Sequence, residues 1–257
     1  MIAQLKARLK RRFPTTWNRL RATGKLLALM PRVYGYEPRS CVMCGYHGKF
    51  LAEIHFPDIF TYDAICPRCG SLPRNRLLRL AIESKGLLNS NTRLLHFAPE
   101  ANVRDYAGPR AGLYRTADLY AKGVDLKLNI EAIDQADESW DLIICSHVLE
   151  HVDHRKALKE LHRILAPGGR LVALFPIVEG WPHDYEAPDV QTPRDRGLHF
   201  GKENHQRRFG ASVRGDFASA GFALEAFSPI GPDVVRYGLI PGETLFIGNK
   251  ARSTAGT

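Results

Sequence analysis

Four absences narrow what this chain can be. No apolar run approaches the ~20 residues that a membrane-spanning helix needs, so no transmembrane segment is expected. The first residues never develop an uninterrupted apolar stretch ahead of a small-residue cleavage site, so no secretion signal is expected and the protein is read as cytoplasmic. Residues 1–32 contain no acid. The apolar run LLHFAPEANV, residues 94–103, ends in a Pro-Glu turn without the glycines that usually mark a nucleotide-binding loop.

The missing acids leave an arm of one sign. Lys6, Arg8, Lys10, Arg11, Arg12, Arg19, Arg21, Lys25 and Arg32 account for the whole net charge of +9, and the rest of the chain balances 27 bases against 27 acids. Apolar residues, Trp17 among them, are interleaved with these charges. A basic amphipathic arm over residues 1–35 suits an anionic membrane surface or nucleic acid, or a helix that packs on the body with its charges in water. On the membrane reading, the protein sits peripherally at the inner membrane face.

Cysteine is scarce but patterned. Four of the five cysteines form CVMCG and CPRCG, that is Cys41, Cys44, Cys66 and Cys69, with 21 residues between the pairs. Two residues between thiols let a turn aim both at one ion, and the glycine that follows permits a positive φ. The pattern predicts a structural four-thiolate Zn²⁺ site in a small zinc-ribbon-like module over residues 36–73, with a hairpin in the spacer. The alternatives are two disulfides or four unrelated core cysteines, and the absent secretion signal argues against disulfides. Cys145 reads as core.

Beyond the module, strands and helices alternate over residues 74–250. Ser71 and Pro73 suit the start of a helix that Gly86 ends. Strands are predicted at 93–97, 113–119, 124–129, 140–145, 170–175, 222–227 and 244–248, and helices at 100–107, 155–165 and 212–220. Ala157, Leu158, Leu161, Ile164 and Leu165 share one helical face. RLVALFP is the continuous apolar run of a strand covered on both sides. The expectation is an α/β fold with a doubly wound, mostly parallel seven-stranded sheet. Residues 251–257 read as a disordered tail.

In such a sheet, ligands bind beyond the carboxyl ends of the strands at the switch point. Asp118 ends the second strand 20 residues after Ala98, an offset that suits a ribose diol. Glu100, in the first loop, would repel a pyrophosphate. An acidic, glycine-poor corner therefore favours S-adenosylmethionine, which is cationic and phosphate-free, over a dinucleotide. Asn129, at the end of the third strand, can bond an adenine edge.

WDLIICSHVLEHVDHRKALKELHRILAPGGRLVALFP, residues 140–176, carries a strand, a turn, a helix and a Pro-Gly-Gly in that order. It resembles the class I S-adenosylmethionine-dependent methyltransferases, specifically the type 11 group, and the resemblance extends over roughly residues 92–250. It implies that Ala98, Pro99 and Glu100 cradle the methionine part, that Asp118 and Leu119 take the ribose and adenine, that Asn129 and Ile130 flank the adenine, and that Ser146 and His147 close the site. The first loop departs from the group's DxGxG form: His96, Ala98 and Glu100 stand in its place.

An acceptor-side insertion is expected at residues 179–210, where His183, Tyr185, His199 and Arg207 are candidate substrate contacts. HQRRFG is similar to an element of relatives, which turns His205 and Arg207 toward the pocket and makes His205, beside His147, a candidate base. Three functions compete. The first is methyl transfer to a small-molecule or saccharide acceptor, in surface-glycan or natural-product assembly. The second is RNA methylation, with arm and zinc module gripping phosphates. The third is a non-catalytic zinc-containing binding protein.

Overall fold

The computed structural model describes Gly35, residues 37–55 and residues 59–252. The basic arm, and residues 253–257 of the expected tail, lie outside them. The chain falls into two compact units, one ending at Leu72 and the other beginning at Pro73.

The first unit is two antiparallel ribbons. β1 (Arg39–Ser40) pairs with β2 (His47–Gly48), and β3 (Leu51–His55) pairs with β4 (Ile59–Ile65), which is the hairpin expected in the cysteine spacer. So small a unit buries little, with Cys41, Phe50 and Cys66 clustered among partly covered neighbours. Ion pairing supplements this: Arg39 holds Asp63 through Nε and Nη2 at 3.2 and 2.7 Å.

The second unit runs α1 (Pro73–Ser84), β5 (Arg93–Phe97), α2 (Ala101–Ala107), β6 (Leu113–Ala117), β7 (Trp140–Ser146), α3 (His154–Ile164), β8 (Leu165–Leu174), α4 (Pro193–Phe200), α5 (Val213–Ser219), β9 (Ala223–Phe227), α6 (Gly231–Tyr237) and β10 (Leu245–Asn249). Six strands form one sheet in the order β6-β5-β7-β8-β10-β9. The pairs β6–β5, β5–β7 and β7–β8 are parallel, whereas β10 runs antiparallel to both its neighbours.

The seventh expected strand, 124–129, contributes isolated bridges instead, parallel from Leu126 to Ala117 and antiparallel from Asn129 to Ala132. Asp125 explains the difference. Its carboxylate accepts from the Thr116 amide and hydroxyl, both at 2.7 Å, while its own amide donates to Thr116 Oγ1. Side chains thus take the place of a backbone ladder.

The middle of the sheet is apolar on both faces, as the sequence requires. Leu142, Ile143, Ile144 and Cys145 on β7 and Leu171, Val172 and Ala173 on β8 are all buried. α3 starts at Asp153, whose carboxylate accepts from the Arg155 and Lys156 amides. Its buried face is Ala157, Leu158, Leu161 and Ile164. At about 1.5–3 kcal/mol per large apolar side chain, that stripe alone contributes on the order of 6 kcal/mol of transfer free energy. From β5 the chain crosses to β6 on one side and returns to β7 on the other. That reversal opens a crevice at the carboxyl ends of β5 and β7.

Candidate functional site

A cavity of about 620 Å³ lies where the topology puts the crevice. Strand ends supply one wall: Phe97 and Ala98 after β5, Asp118 and Leu119 after β6, His147 and Val148 after β7. Leu128, Asn129, Ile130 and Glu131 supply a second, and Asn204 and Gln206 come from the insertion. Of the residues expected to hold a nucleoside, the cavity brings together Ala98, Asp118, Leu119, Asn129, Ile130 and His147. Asp118 is anchored, because its Oδ1 accepts from the Tyr120 and Ala121 amides at 2.7 Å each. Asn129 Oδ1 accepts from the Glu131 amide at 3.0 Å.

Three expected cofactor residues are not part of the lining. Ser146 is buried at 5% exposure as the last residue of β7. Pro99 and Glu100 turn away with the start of α2. Glu100 is engaged elsewhere: Arg74 donates to Oε1 from Nε and Nη2 at 3.0 and 2.7 Å, and Asn75 donates to Oε2 at 2.6 Å. Its charge is neutralised locally, so selection against phosphate by the first loop does not hold as the sequence suggested.

Ala98 has φ 47°, a left-handed conformation that a glycine would adopt without strain. The glycine-poor loop therefore makes the expected turn despite its sequence. His96 in β5 is buried, bonded through Nδ1 to Tyr114 Oη at 2.9 Å. Burial, with Arg104 nearby, pushes its pKa down to about 3.

The acceptor-side residues are distributed differently from expectation. His183 is exposed and lines no part of the cavity. Tyr185 and His199 bond each other at 2.6 Å between Oη and Nδ1. Arg207 is a brace: Nε donates to Glu186 at 2.6 Å, and Nη1 donates to the Leu149 and Val152 carbonyls. His205 is 3% exposed, its Nδ1 3.1 Å from the Phe200 carbonyl, and burial lowers its pKa to about 4. The segment alternates like a strand, with Asn204 and Gln206 facing the cavity and His205 and Arg207 behind it. The likeness of HQRRFG to an element of relatives implies the opposite phase, with His205 and Arg207 toward the pocket; a period-two segment offers both phases.

Behind the cavity wall lies a polar cluster. Glu150, 1% exposed, has Oε1 at 3.0 Å from His147 Nδ1 and 3.9 Å from His205 Nε2. Burial opposes its ionisation, but the His147 bond and the nearby His147 and His151 charges together hold its carboxyl below the usual value. His147 is in a left-handed conformation at φ 54°. The sequence signal for Glu150 is a carboxylate inside an apolar turn.

In the first unit, the Sγ atoms of Cys41 and Cys69 are 3.6 Å apart and those of Cys44 and Cys66 are 3.7 Å apart, with all five cysteines of the chain free of disulfides. Four thiolates on one ion at ~2.3 Å would stand about 3.8 Å from each other, so the residues fit a tetrahedral four-thiolate metal. The two knuckles are alike: the Gly45 and Gly70 amides donate to the Cys41 and Cys66 carbonyls at 2.8 Å, with φ 73° and 68°.

Comparison with known proteins agrees with the geometry. The family Methyltransf_11, described as a methyltransferase domain, matches residues 108–173. A ubiquinone/menaquinone biosynthesis C-methyltransferase of Klebsiella pneumoniae is 41% identical over 66 residues, 24% of this chain and 26% of that protein. A probable tRNA methyltransferase 9B of Homo sapiens is 33% identical over 98 residues, 37% of this chain and 21% of that protein. The chain thus spans about a quarter of the length of these relatives. An S-adenosylmethionine-dependent methyltransferase from Mesorhizobium loti shares the fold, with a TM-score of 0.50 at 17% identity over 68% of this chain and 98% of that one. No helix among the described residues is long and apolar enough to cross a membrane. Residues 108–173 thus match a methyltransferase-domain family, and the fold is shared with an S-adenosylmethionine-dependent methyltransferase.

Proposed function

We infer that the protein transfers the methyl group of S-adenosylmethionine to a hydroxyl of a small-molecule or saccharide acceptor. The observation that carries this reading is the cavity at the switch point, which gathers Asp118, Asn129, Ile130 and His147 around a volume of about 620 Å³. That size suits one nucleoside cofactor with an acceptor beside it. Asp118 Oδ1 is occupied by backbone amides, which leaves Oδ2 for a ribose hydroxyl. Leu119 and Ile130 supply apolar surface for the adenine, and Asn129 supplies an amide at its edge.

The chemistry is an in-line displacement. The acceptor oxygen forms a bond to the methyl carbon, the carbon–sulfur bond breaks, and the sulfur keeps the electron pair as a neutral thioether. The hydroxyl proton needs a base. His147 is that base. It lines the cavity, a carboxylate accepts from its Nδ1–H, and its Nε2 has no partner among the described residues. Glu150 would stabilise the imidazolium that forms. His205 is set behind the wall and does not reach the acceptor.

Cys41, Cys44, Cys66 and Cys69 would hold a structural Zn²⁺, since a closed thiolate set leaves no position for substrate. The basic arm would hold the protein at an anionic membrane surface on the cytoplasmic side, close to a lipid-linked acceptor. RNA methylation is the second reading, favoured by the likeness to the tRNA methyltransferase and by the arm's charge. Calorimetry with S-adenosylmethionine, on wild type and Asp118→Ala, tests the common core, with NADH as the competing probe. Binding of NADH in preference, or equal affinity in the variant, overturns it. Salt-sensitive retention of tRNA together with methyl incorporation into it would select the second reading.

A further inference from the structure

Glu150, His151 and His205 place three ligand atoms within 4.8 Å of one another at the edge of the cavity. His151 lines the cavity, and the residues flanking His205, Asn204 and Gln206, line it too. We propose that this trio is a second metal site, one that takes a first-row divalent cation and presents it to a hydroxyl-bearing acceptor.

Both imidazoles are prepared for such an ion. His151 Nδ1 lies 3.1 Å from the Asn204 carbonyl, and His205 Nδ1 lies 3.1 Å from the Phe200 carbonyl. A carbonyl only accepts, so each Nδ1 carries the proton and each Nε2 presents a lone pair. This is the arrangement in which a metal-binding histidine is held by its other nitrogen. His205 Nε2 and Glu150 Oε2 are buried and have no hydrogen-bond partner among the described residues, and their residues are only 3% and 1% exposed. Orphaned buried polar atoms are costly unless something completes them.

The support around the trio is rigid. The Gln206 amide donates to the Glu150 carbonyl at 2.9 Å, and the Gln206 side chain donates to the His151 carbonyl at 2.5 Å. Arg207 braces the same turn from behind. These bonds fix the insertion against the turn after β7 and so hold His205 opposite Glu150. A cation with ~2.1 Å bonds wants neighbouring ligands about 3–3.4 Å apart, so the side chains would close by about 1 Å on binding.

The donor set decides the class of ion. Two imidazoles and one carboxylate, with open positions, suit Mn²⁺, Fe²⁺, Co²⁺, Ni²⁺ or Zn²⁺ and contrast with the closed thiolate site. His154, Asp184 and Asp216 also cluster, but there His154 Nε2 is already bonded to Asp216 at 2.9 Å, and none of the three lines the cavity. A bound ion would take one acceptor hydroxyl, or two vicinal ones, and lower its pKa. His147 would then receive the proton. The acceptor class this favours is a sugar or another polyol. That part rests on the methyltransferase reading; the ion site itself does not.

Mn²⁺ is the probe, because thiolates discriminate against it. The purified full-length protein, with zinc retained, is titrated with Mn²⁺ and free ion is followed by electron paramagnetic resonance. One Mn²⁺ bound per chain is expected, with nitrogen couplings from imidazole in the spin-echo modulation of the wild-type protein. His151→Ala and His205→Ala should each weaken binding by at least 10-fold, while His162→Ala should not. Absence of a bound ion at millimolar Mn²⁺, absence of nitrogen coupling, or indifference of a folded His151→Ala variant overturns the proposal. S-adenosylmethionine affinity is measured on the same samples. Cofactor binding without Mn²⁺ binding would sink the ion site and spare the methyltransferase reading; the reverse would do the opposite.

Discussion

The turns that follow β5 and β7 start alike and finish differently. Each leaves its strand through a non-glycine residue in the left-handed region, Ala98 at φ 47° and His147 at φ 54°. Each carries a glutamate shortly after. Glu100 has both oxygens saturated by Arg74 and Asn75. Glu150 has one oxygen on His147 and the other, like one nitrogen of His147 and one of His205, without a partner among the described residues. A buried unsatisfied group costs roughly 1–3 kcal/mol. The glutamate after the first turn is fully engaged, whereas the one after the second keeps an oxygen without a partner among the described residues.

The sharpest way to break that contrast is at Glu150. Glu150→Gln keeps the shape but removes the charge that orients His147. Methyl transfer should fall by about 10²-fold or more, the scale of a lost base, while S-adenosylmethionine affinity stays within a few-fold of wild type. Single-turnover transfer of a labelled methyl group, alongside calorimetry, reads both. An unimpaired rate would remove the second turn from the chemistry. Asp118→Ala should do the opposite. It should weaken cofactor binding by about 10- to 100-fold, the loss of a charge-assisted hydrogen bond or two, with a smaller effect on single-turnover rate at saturation.

How far the sequence reveals this arrangement depends on how local the cause is. β7, α3 and β8 are legible because apolar runs and a 3.6-residue stripe state their own burial. Asp118 and Asn129 are legible because a strand end fixes where a side chain must emerge. Glu100 is misread because its partners, Arg74 and Asn75, lie some 25 residues upstream and only the fold brings them together. The strand at 124–129 is misread because Asp125 ties itself back to Thr116 through side chains. Asn204 and Gln206 are missed because a period-two segment offers two phases, and bonds to the distant turn after β7, from Gln206 and Arg207, select one.

The first turn should reveal itself in stability. His96, directly before it in β5, is neutral in the fold, with its pKa held at about 3 by burial, while an unfolded histidine titrates near 6.5. Folding therefore excludes a proton between those values, and stability should fall as pH drops from about 6.5 toward 3. The lowered Glu150 carboxyl pulls in the same direction. Chemical denaturation across that range should show a shallower slope in His96→Phe, by up to one proton; an unchanged slope would mean that His96 titrates normally. Glu100→Gln should cost about 1 kcal/mol, as expected for a partly exposed ion pair, and leave cofactor affinity nearly unchanged. A large affinity loss would return Glu100 to the binding site.

The smallest effect makes the finest distinction. Ala98 and His147 occupy corresponding left-handed positions, and a β-carbon there is strained by about 1 kcal/mol. Glycine relieves that strain but adds freedom to the unfolded chain. Ala98→Gly should therefore raise stability by about 0.5 kcal/mol, a shift of one or two degrees in Tm for a unit of this size, with transfer unaffected. His147→Gly relieves the same strain yet removes an imidazole that lines the cavity and strips the buried Glu150 of its hydrogen-bonded partner, so it should lose both stability and transfer. If both glycine variants proved equally active, the strain at His147 would serve the backbone alone, and the two turns would be equivalent after all.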